Sequence, residues 1–342
     1  MKHFYLLLIG LICFSCEREM GFEGPSLVDQ YGTFNVIEKL TISNKNIDFG
    51  QGETTFFRAE FSKAVSWEIL ITGLNSGAIK SINGNSRILN QENAIWDGST
   101  SSLPMFKIEN CSLALKVSYN VNNAETLISV EDSVIAVENL TIISNKTNAG
   151  LLIADFETGL NPNWDPFIQS GGNMSFNISS NQAPQGNFYY DMGGDVDWDW
   201  LIGMVDIPAD GYGAPTFDLN ENGDKVYFNV MLYLPENLPN PPIVLFQFRE
   251  DDNGNGFFET GLEDMYSIEI KDLEFGWQLI SIKYSDLPCL SNGAPIDPDG
   301  NGIHNPNMLN MISVLMLAQQ GNGYSQTYMD YIIFTENEPL NP

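Results

Sequence analysis

The chain has 342 residues, 43% of them hydrophobic and only 17% charged, which is enough for two or three globular domains and too apolar for a disordered chain. It carries 44 Asp and Glu against 15 Lys and Arg, a formal net charge of −29. A surface this negative repels phosphate backbones and anionic lipid, so nucleic acid is excluded as a partner and polyanionic ligands are disfavoured; neutral molecules and calcium stay open.

Residues 1–16 read MKHFYLLLIGLICFSC. Lys2 and His3 precede an apolar run, Phe4 to Phe14, that is too short to span a bilayer. With the small Ser15 before Cys16, the segment resembles a bacterial lipoprotein signal, cleaved before Cys16 with lipid on its thiol. Cys13 and Phe14 depart from the commonest form of that signal, and a plain secretory signal cut nearby is the alternative. Glu17-Arg18-Glu19 resembles the acidic tag behind the lipid cysteine of surface-exposed lipoproteins of the Bacteroidetes type. No later apolar stretch is long enough to cross a membrane, so the expected membrane contact is the lipid anchor alone. Residues 17–34 are rich in Gly, Pro and polar side chains and read as a tether.

Residues 35–145 carry short β patterns. Thr55–Phe61 and Ser66–Thr72 read as two strands, the second pointing Trp67, Ile69 and Ile71 inward; Ser112–Tyr119 and Leu127–Val137 follow. Gly73, Gly77, Gly84 and Gly98 punctuate the turns. About seven strands at this spacing suit an immunoglobulin-like sandwich, without the Cys–Trp–Cys pattern of antibody domains. Trp67 and Trp96 are expected to pack the interior. Cys111 and Cys289 fall in different domains and read as buried free thiols rather than a disulfide.

Residues 148–338 form a larger all-β unit. Strands are expected at Val226–Tyr233, Ile243–Phe248, Met265–Ile270, Trp277–Tyr284, Ile312–Leu317 and Tyr328–Phe334, and no helical periodicity of useful length appears. Roughly nine to eleven strands with long loops suggest a jelly roll. The unit opens on LLIADFETG, Leu151 to Gly159, and closes on YMDYIIF, Tyr328 to Phe334. That pairing resembles the galactose-binding-like jelly rolls of many carbohydrate-binding modules. The stretch Glu250 to Ile270, followed by Gly276 to Leu287, resembles the middle of such modules in Bacteroidetes glycan-utilisation loci. The resemblance implies an outer-membrane, cell-surface lipoprotein in which a spacer lifts a binding module that passes a polysaccharide to an importer complex. A neutral β-glucan of the laminarin type is the glycan it favours.

Metal candidates come from oxygen-rich segments. Three follow the form D-x-[DN]-x-N-G, starting at Asp218, Asp251 and Asp297; none has the Glu at position twelve that an EF-hand requires. The richest places Asp251, Asn253 and Asn255 ahead of Glu259 and makes a candidate calcium loop. The resemblance implies a second, structural calcium between the first and last strands of the module, held by Asp155, Glu157 and Asp330. Zinc is excluded by the lack of clustered histidine and cysteine.

The segment DVDWDW, Asp195 to Trp200, decides between cutting and binding. On one extended strand Trp198 and Trp200 share a face and Asp195, Asp197 and Asp199 share the other. Jelly-roll glycosidases carry E-x-D-x-E on a strand, and the hydrolase alternative assigns that work to these three aspartates. Residues i and i+4 on a flat strand lie ~13 Å apart, far beyond the ~5.5 Å of a retaining carboxyl pair, and short Asp arms fit worse than Glu. Binding fits better: flat rings stack on pyranose faces while carboxylates take hydroxyl hydrogen bonds. The candidate contacts are Trp164, Trp198, Trp200, Tyr189, Tyr190, Tyr212 and Tyr324, with Asp197 and Asp199. A calcium-rigidified adhesion protein is the remaining alternative.

Overall fold

The computed structural model describes residues 34–123, 126–169, 172–196 and 200–342. The lipidation residue Cys16 therefore lies outside the described residues, as do Asp197, Trp198 and Asp199. Among the described residues, twenty strands and five short 3₁₀ turns make an all-β fold. Among the described residues no helix is long and apolar enough to cross a membrane.

The first seven strands are β1 (Val36–Ile42), β2 (Asn46–Asp48), β3 (Thr55–Gly73), β4 (Ile79–Leu89), β5 (Ile95–Trp96), β6 (Asn110–Asn123) and β7 (Thr126–Ser144). They hydrogen-bond in the order β1-β3-β6-β7-β2, with β4 and β5 also on β3. The two strands expected at Thr55–Phe61 and Ser66–Thr72 are one: β3 runs through a register shift between Glu60 and Val65 without breaking. One edge of β3 pairs first with β1 and then with β6, so the sheet curls around its own interior. An immunoglobulin-like reading matches the strand number; the observed connectivity is one continuous sheet, with β2 joined in parallel to β7. Alternation along β3 buries Phe57, Ala59, Phe61, Val65, Trp67, Ile69 and Ile71. Trp96 fills the centre between Phe49 and Phe106, at 4.8 and 4.9 Å, and donates its indole N–H to Ser99 O at 2.8 Å.

The remaining strands are β8 (Leu151–Ala154), β9 (Asp165–Ile168), β10 (Ser175–Ser179), β11 (Tyr189–Asp195), β12 (Leu201–Pro208), β13 (Val226–Leu234), β14 (Pro242–Glu250), β15 (Met265–Ile270), β16 (Gly276–Lys283), β17 (Cys289–Ser291), β18 (Ala294–Ile296), β19 (Leu309–Ala318) and β20 (Tyr324–Glu336). They form two sheets. The first runs β10-β11-β20-β13-β16 with β8 also on β20; the second runs β18-β17-β15-β14-β19-β12-β9. The opening and closing segments singled out in the sequence meet here, Ala154 opposite Ile332 and Leu152 opposite Ile333. Inward rings close the sandwich: Phe228 lies 4.9 Å from both Phe246 and Phe248 and 5.4 Å from Phe334. Burying such a ring contributes about 1.5–3 kcal/mol. Cys111 and Cys289 are free and buried, one in each unit.

The two units touch. Met105, Met231, Tyr331, Ile333 and Leu340 form a small apolar cluster between them. Met105 N–H donates to Pro184 O and Thr100 N–H to Pro342 O, both at 2.7 Å. Lys146 Nζ pairs with Asp97 and donates to Asn341 O, each at 3.1 Å.

Candidate functional site

Several expected contact residues turn out to hold the fold. Tyr190 is 1% exposed and stacks on Phe156 at 5.8 Å. Trp164 is 7% exposed; its indole N–H donates to the Tyr212 hydroxyl at 3.2 Å, which donates to Ile153 O at 2.8 Å. The loop from Phe156 to Trp164 folds over the end of the sandwich and turns these rings inward, with Tyr212 against Phe217 at 5.5 Å. Trp164, Tyr190 and Tyr212 are therefore packing residues, a correction to the sequence-based expectation. Trp200 is 55% exposed. Of the segment read as one strand, β11 ends at Asp195 and β12 begins at Leu201 in the opposite sheet, and Asp197, Trp198 and Asp199 lie outside the described residues. Asp195 caps its own neighbourhood, accepting from Asn173 Nδ2 at 2.5 Å. Tyr189 is only 6% exposed and packs on Tyr328 at 4.8 Å and on Trp277 at 5.6 Å, a further correction to the expected contacts, while Tyr324 is half-buried on the outer face of the first sheet.

The outer face of the second sheet carries the best-formed site. Alternation buries Val244, Phe246 and Phe248 on β14 and turns Leu245, Gln247 and Arg249 outward. Register then sets partners across the sheet. Gln247 stands opposite Ser313, and Ser313 opposite Asp206; Arg249 stands opposite Met311, and Met311 opposite Pro208. Arg249 Nη1 donates to Met311 Sδ at 3.0 Å and lies 3.9 Å from Asp206 Oδ2. The Ser313 hydroxyl donates to the other Asp206 oxygen. The Arg249 guanidinium also sits over the Phe258 ring at 5.8 Å. Arg249, Phe258 and Met311 line a cleft of about 660 Å³ with Met265, Phe257, Asp210 and Asp299, and Asp206 and Ser313 adjoin it through Arg249. Gly256, at φ +91°, supplies the left-handed turn that delivers Phe257 to the rim, where it is 75% exposed. Asn310 also lines the cleft, and its buried Oδ1 has no hydrogen-bond partner. Beyond the polar row the same face is apolar, with Leu245, Leu315, Met204 and the 51%-exposed Phe167 side by side.

A cleft with an open ring at its rim, a fixed Arg–Asp pair and an unpaired acceptor can do two things at once. It can take an apolar ring face, and it can exchange hydrogen bonds with neighbouring hydroxyls. Asp206 is already held by Arg249 and Ser313, which suits an acceptor in a binding site rather than a proton carrier.

The acid-rich loop beside the cleft is tied to itself. Asp251 accepts from the N–H groups of Asn255 and Gly256 at 3.0 and 2.7 Å. Asn253 Oδ1 accepts from Asn255 N, and Glu259 accepts from the amides of Asn253 and Asn255, all at 2.9 Å. In this structure these lone pairs accept from N–H donors. Asp264 bridges to the next loop, accepting from Gly300 N and Gly302 N at 2.7 Å. Among the described residues no group of three or more His, Cys, Asp or Glu is assembled for a metal. The other expected set is arranged differently. Asp330 is fully buried, its Oδ2 has no partner, and the Oε1 of Gln185 is orphaned likewise. Burial, with Glu157 and Asp155 nearby, pushes Asp330 up to about 9. Glu157 holds the backbone N–H groups of Asn187 and Phe188 at 2.6 and 2.9 Å, and Asp155 accepts from Glu157 N at 3.2 Å.

No family model matches this chain, and no curated protein does. Solved structures do show similarity. One is of carbohydrate-binding modules from the β-sandwich superfamily, 11% identical, covering 90% of this chain and 99% of the other, with a TM-score of 0.37. A family 11 carbohydrate-binding module of a cellulosomal cellulase from Clostridium thermocellum is 15% identical over 56% of this chain and 96% of its own, with a TM-score of 0.37. SGBP-B from a complex xyloglucan utilization locus in Bacteroides uniformis is 12% identical over 89% and 73%, with a TM-score of 0.32.

Sequence reasoning missed Arg249, Asp206, Ser313 and Phe257. A usable signal existed for the first: in VLFQFR, Gln247 and Arg249 alternate with two phenylalanines, which puts them on the solvent face of a strand. Ser313 and Asp206 are 107 positions apart, and only sheet register brings them together.

Proposed function

We propose that the protein binds a neutral polysaccharide without turning it over, through the cleft on the second sheet of its C-terminal sandwich. The observation that carries this reading is the Arg249 guanidinium and the exposed Phe257 ring lining one cleft, with Arg249 paired to Asp206 and Asp206 held by Ser313 next to it. Guanidinium and carboxylate take adjacent sugar hydroxyls, and Phe257 offers a ring face. The net charge of −29 argues for an uncharged chain. A β-glucan of the laminarin type is the preferred class. In this reading lipid on Cys16 holds the protein at the outer surface of the outer membrane, and the captured chain passes to a neighbouring importer complex. The hydrolase alternative is weaker because short Asp arms at i and i+4 of a strand lie ~13 Å apart, too far for a retaining carboxyl pair.

Calcium belongs to the same proposal as a structural ion. Asp330 and Gln185 Oε1, whose oxygens are unpaired, would hold it, and binding would draw in Asp155 and Glu157, which are not assembled with Asp330 around a common point in this structure. Bound there, it would neutralise a carboxylate that is buried without a full set of partners and tie β20 to the segment after β8.

Affinity electrophoresis against laminarin, mixed-linkage β-glucan, xyloglucan and galactomannan tests the function. Retardation by at least one, with no reducing ends released, is expected, and Arg249→Ala should weaken it at least tenfold. Retardation by none of them would overturn the reading and favour the adhesion alternative.

A further inference from the structure

The first sheet has a second strip that the cleft does not use. Its strands lie in the order β10-β11-β20-β13-β16, and one outward residue from each falls in a single transverse row. Asn177 stands opposite Asp191, Asp191 opposite Tyr328, Tyr328 opposite Tyr233, and Tyr233 opposite Trp277. At ~4.8 Å per strand the row is ~19 Å long. We infer that this row, Asn177–Asp191–Tyr328–Tyr233–Trp277, is a second binding strip that holds a neutral saccharide chain laid across the strands.

Three aromatic side chains stand on three adjacent strands, each partly open to water; Trp277 also packs against the apolar contact with the N-terminal unit, and the buried Tyr189 packs on Tyr328 at 4.8 Å and on Trp277 at 5.6 Å. Their geometry is fixed. Tyr233 and Tyr328 stack at 5.0 Å and 10°, and Trp277 packs on Tyr233 at 5.3 Å. The Trp277 indole N–H donates to Gln182 O at 2.9 Å, which pins that end. Because Tyr233 and Tyr328 spend their facing sides on each other, they offer edges and hydroxyls to a ligand. Burial and the nearby Asp191 carboxylate push the Tyr328 phenol up to about 12, so its hydroxyl keeps its proton and both donates and accepts. At the polar end Gln326 Nε2 donates to Asp191 Oδ1 at 2.9 Å and holds the carboxylate in place. Beside them β11 carries Gly193 and Gly194 in mid-strand, where a Cβ on Gly193 would come within 2.9 Å of the Tyr324 hydroxyl. Glycine inside a strand marks close approach of another group, here Tyr324 leaning over the row. The row holds one carboxylate and no cation, which fits hydroxyl-rich, uncharged ligands. One row further along lie Asp330, Met231 and Leu279; Met231, Leu279 and the strip's own Trp277 belong to the apolar contact with the N-terminal unit, so the strip ends in that contact.

The strip and the cleft lie on opposite faces of one sandwich. The module would then grip two chain segments at once, and linked binding raises apparent affinity for a polymer by about 10²-fold or more over either site alone. This rests on the reading that the module binds neutral glycan, and the test separates the two.

Isothermal titration of the full chain with laminarihexaose, cellohexaose and a xyloglucan heptasaccharide, with circular dichroism as a check on folding, reads the number of sites. The parent protein should bind the recognised oligosaccharide with a stoichiometry of two. Tyr233→Ala and Asp191→Ala should each leave one site, Arg249→Ala should leave the other, and Tyr233→Ala with Arg249→Ala should leave none. A stoichiometry of one that disappears with Arg249→Ala and survives folded Tyr233→Ala and Asp191→Ala overturns the strip and keeps the cleft. A stoichiometry of one that disappears with Tyr233→Ala and survives Arg249→Ala keeps the strip and removes the cleft. No binding of any of the three probes, with no retardation by the polysaccharide panel, overturns both.

Discussion

Glu250 is the group whose removal should make the protein more stable. It ends β14, is fully buried, and accepts from Asn305 N at 2.9 Å through Oε1, while its Oε2 has no hydrogen-bond partner. Burial raises its carboxyl from 4.5 to about 8, and the Asp252 and Asp264 carboxylates add to the rise. Between those two values the unfolded chain has released the proton and the folded chain has kept it, so stability falls as pH rises across that window. At about 1.36 kcal/mol per unit, Glu250 costs the fold about 3 kcal/mol at pH 7. Glu250→Gln keeps the acceptor for Asn305 N–H and removes the titration. Its unfolding free energy should therefore match the parent near pH 4.5 and exceed it by about 3 kcal/mol at pH 7, or about 6–12 °C in Tm for a unit this size. Urea unfolding of both proteins from pH 4.5 to 8 in chelator measures the difference. Parallel pH profiles would refute the reasoning, because they would mean that Glu250 is already ionised in the folded state.

Millimolar calcium should raise the parent Tm by several degrees in a thermal scan, while Asp330→Asn should be insensitive to calcium and more stable than the parent in chelator; no calcium shift in the parent would remove the ion. Phe246→Ala empties the contact with Phe228 in a fully buried position and should cost about 3–5 kcal/mol in urea unfolding, without altering the N-terminal sheet. Gly98 and Gly77 both have positive φ, at +88° and +74°, but only at Gly98 would a Cβ meet a ring, Phe49 at 2.7 Å. Gly77→Ala should thus cost about 1 kcal/mol from backbone strain and Gly98→Ala clearly more, read from paired melting curves.

What the sequence made legible follows from how far apart the deciding residues are. Alternation is local, so β15 was readable at its observed bounds, Met265 to Ile270, and β13 to within a residue. The pairing of β8 with β20 was readable because both carry distinctive segments. The fused β3 was not, since a register shift inside a strand looks like a turn until its neighbours are known. Aromatic residues misled for a related reason. Trp164 and Tyr212 lie in loops, where exposure is the ordinary expectation, yet those loops fold back over the sandwich and hydrogen-bond to each other. The cleft draws Asp206, Arg249 and Ser313 from three strands, and the strip draws one residue from each of five; neither leaves a mark in any short window of sequence.

The joint between the two units has a mechanical consequence. Swivelling the sandwich against the curled sheet would break the Thr100–Pro342 and Met105–Pro184 bonds, strip Lys146 from Asp97 and Asn341, and wet Met105 and Leu340. On the proposed reading, these contacts are the path by which drag on a polymer held by the sandwich would pass to the N-terminal sheet.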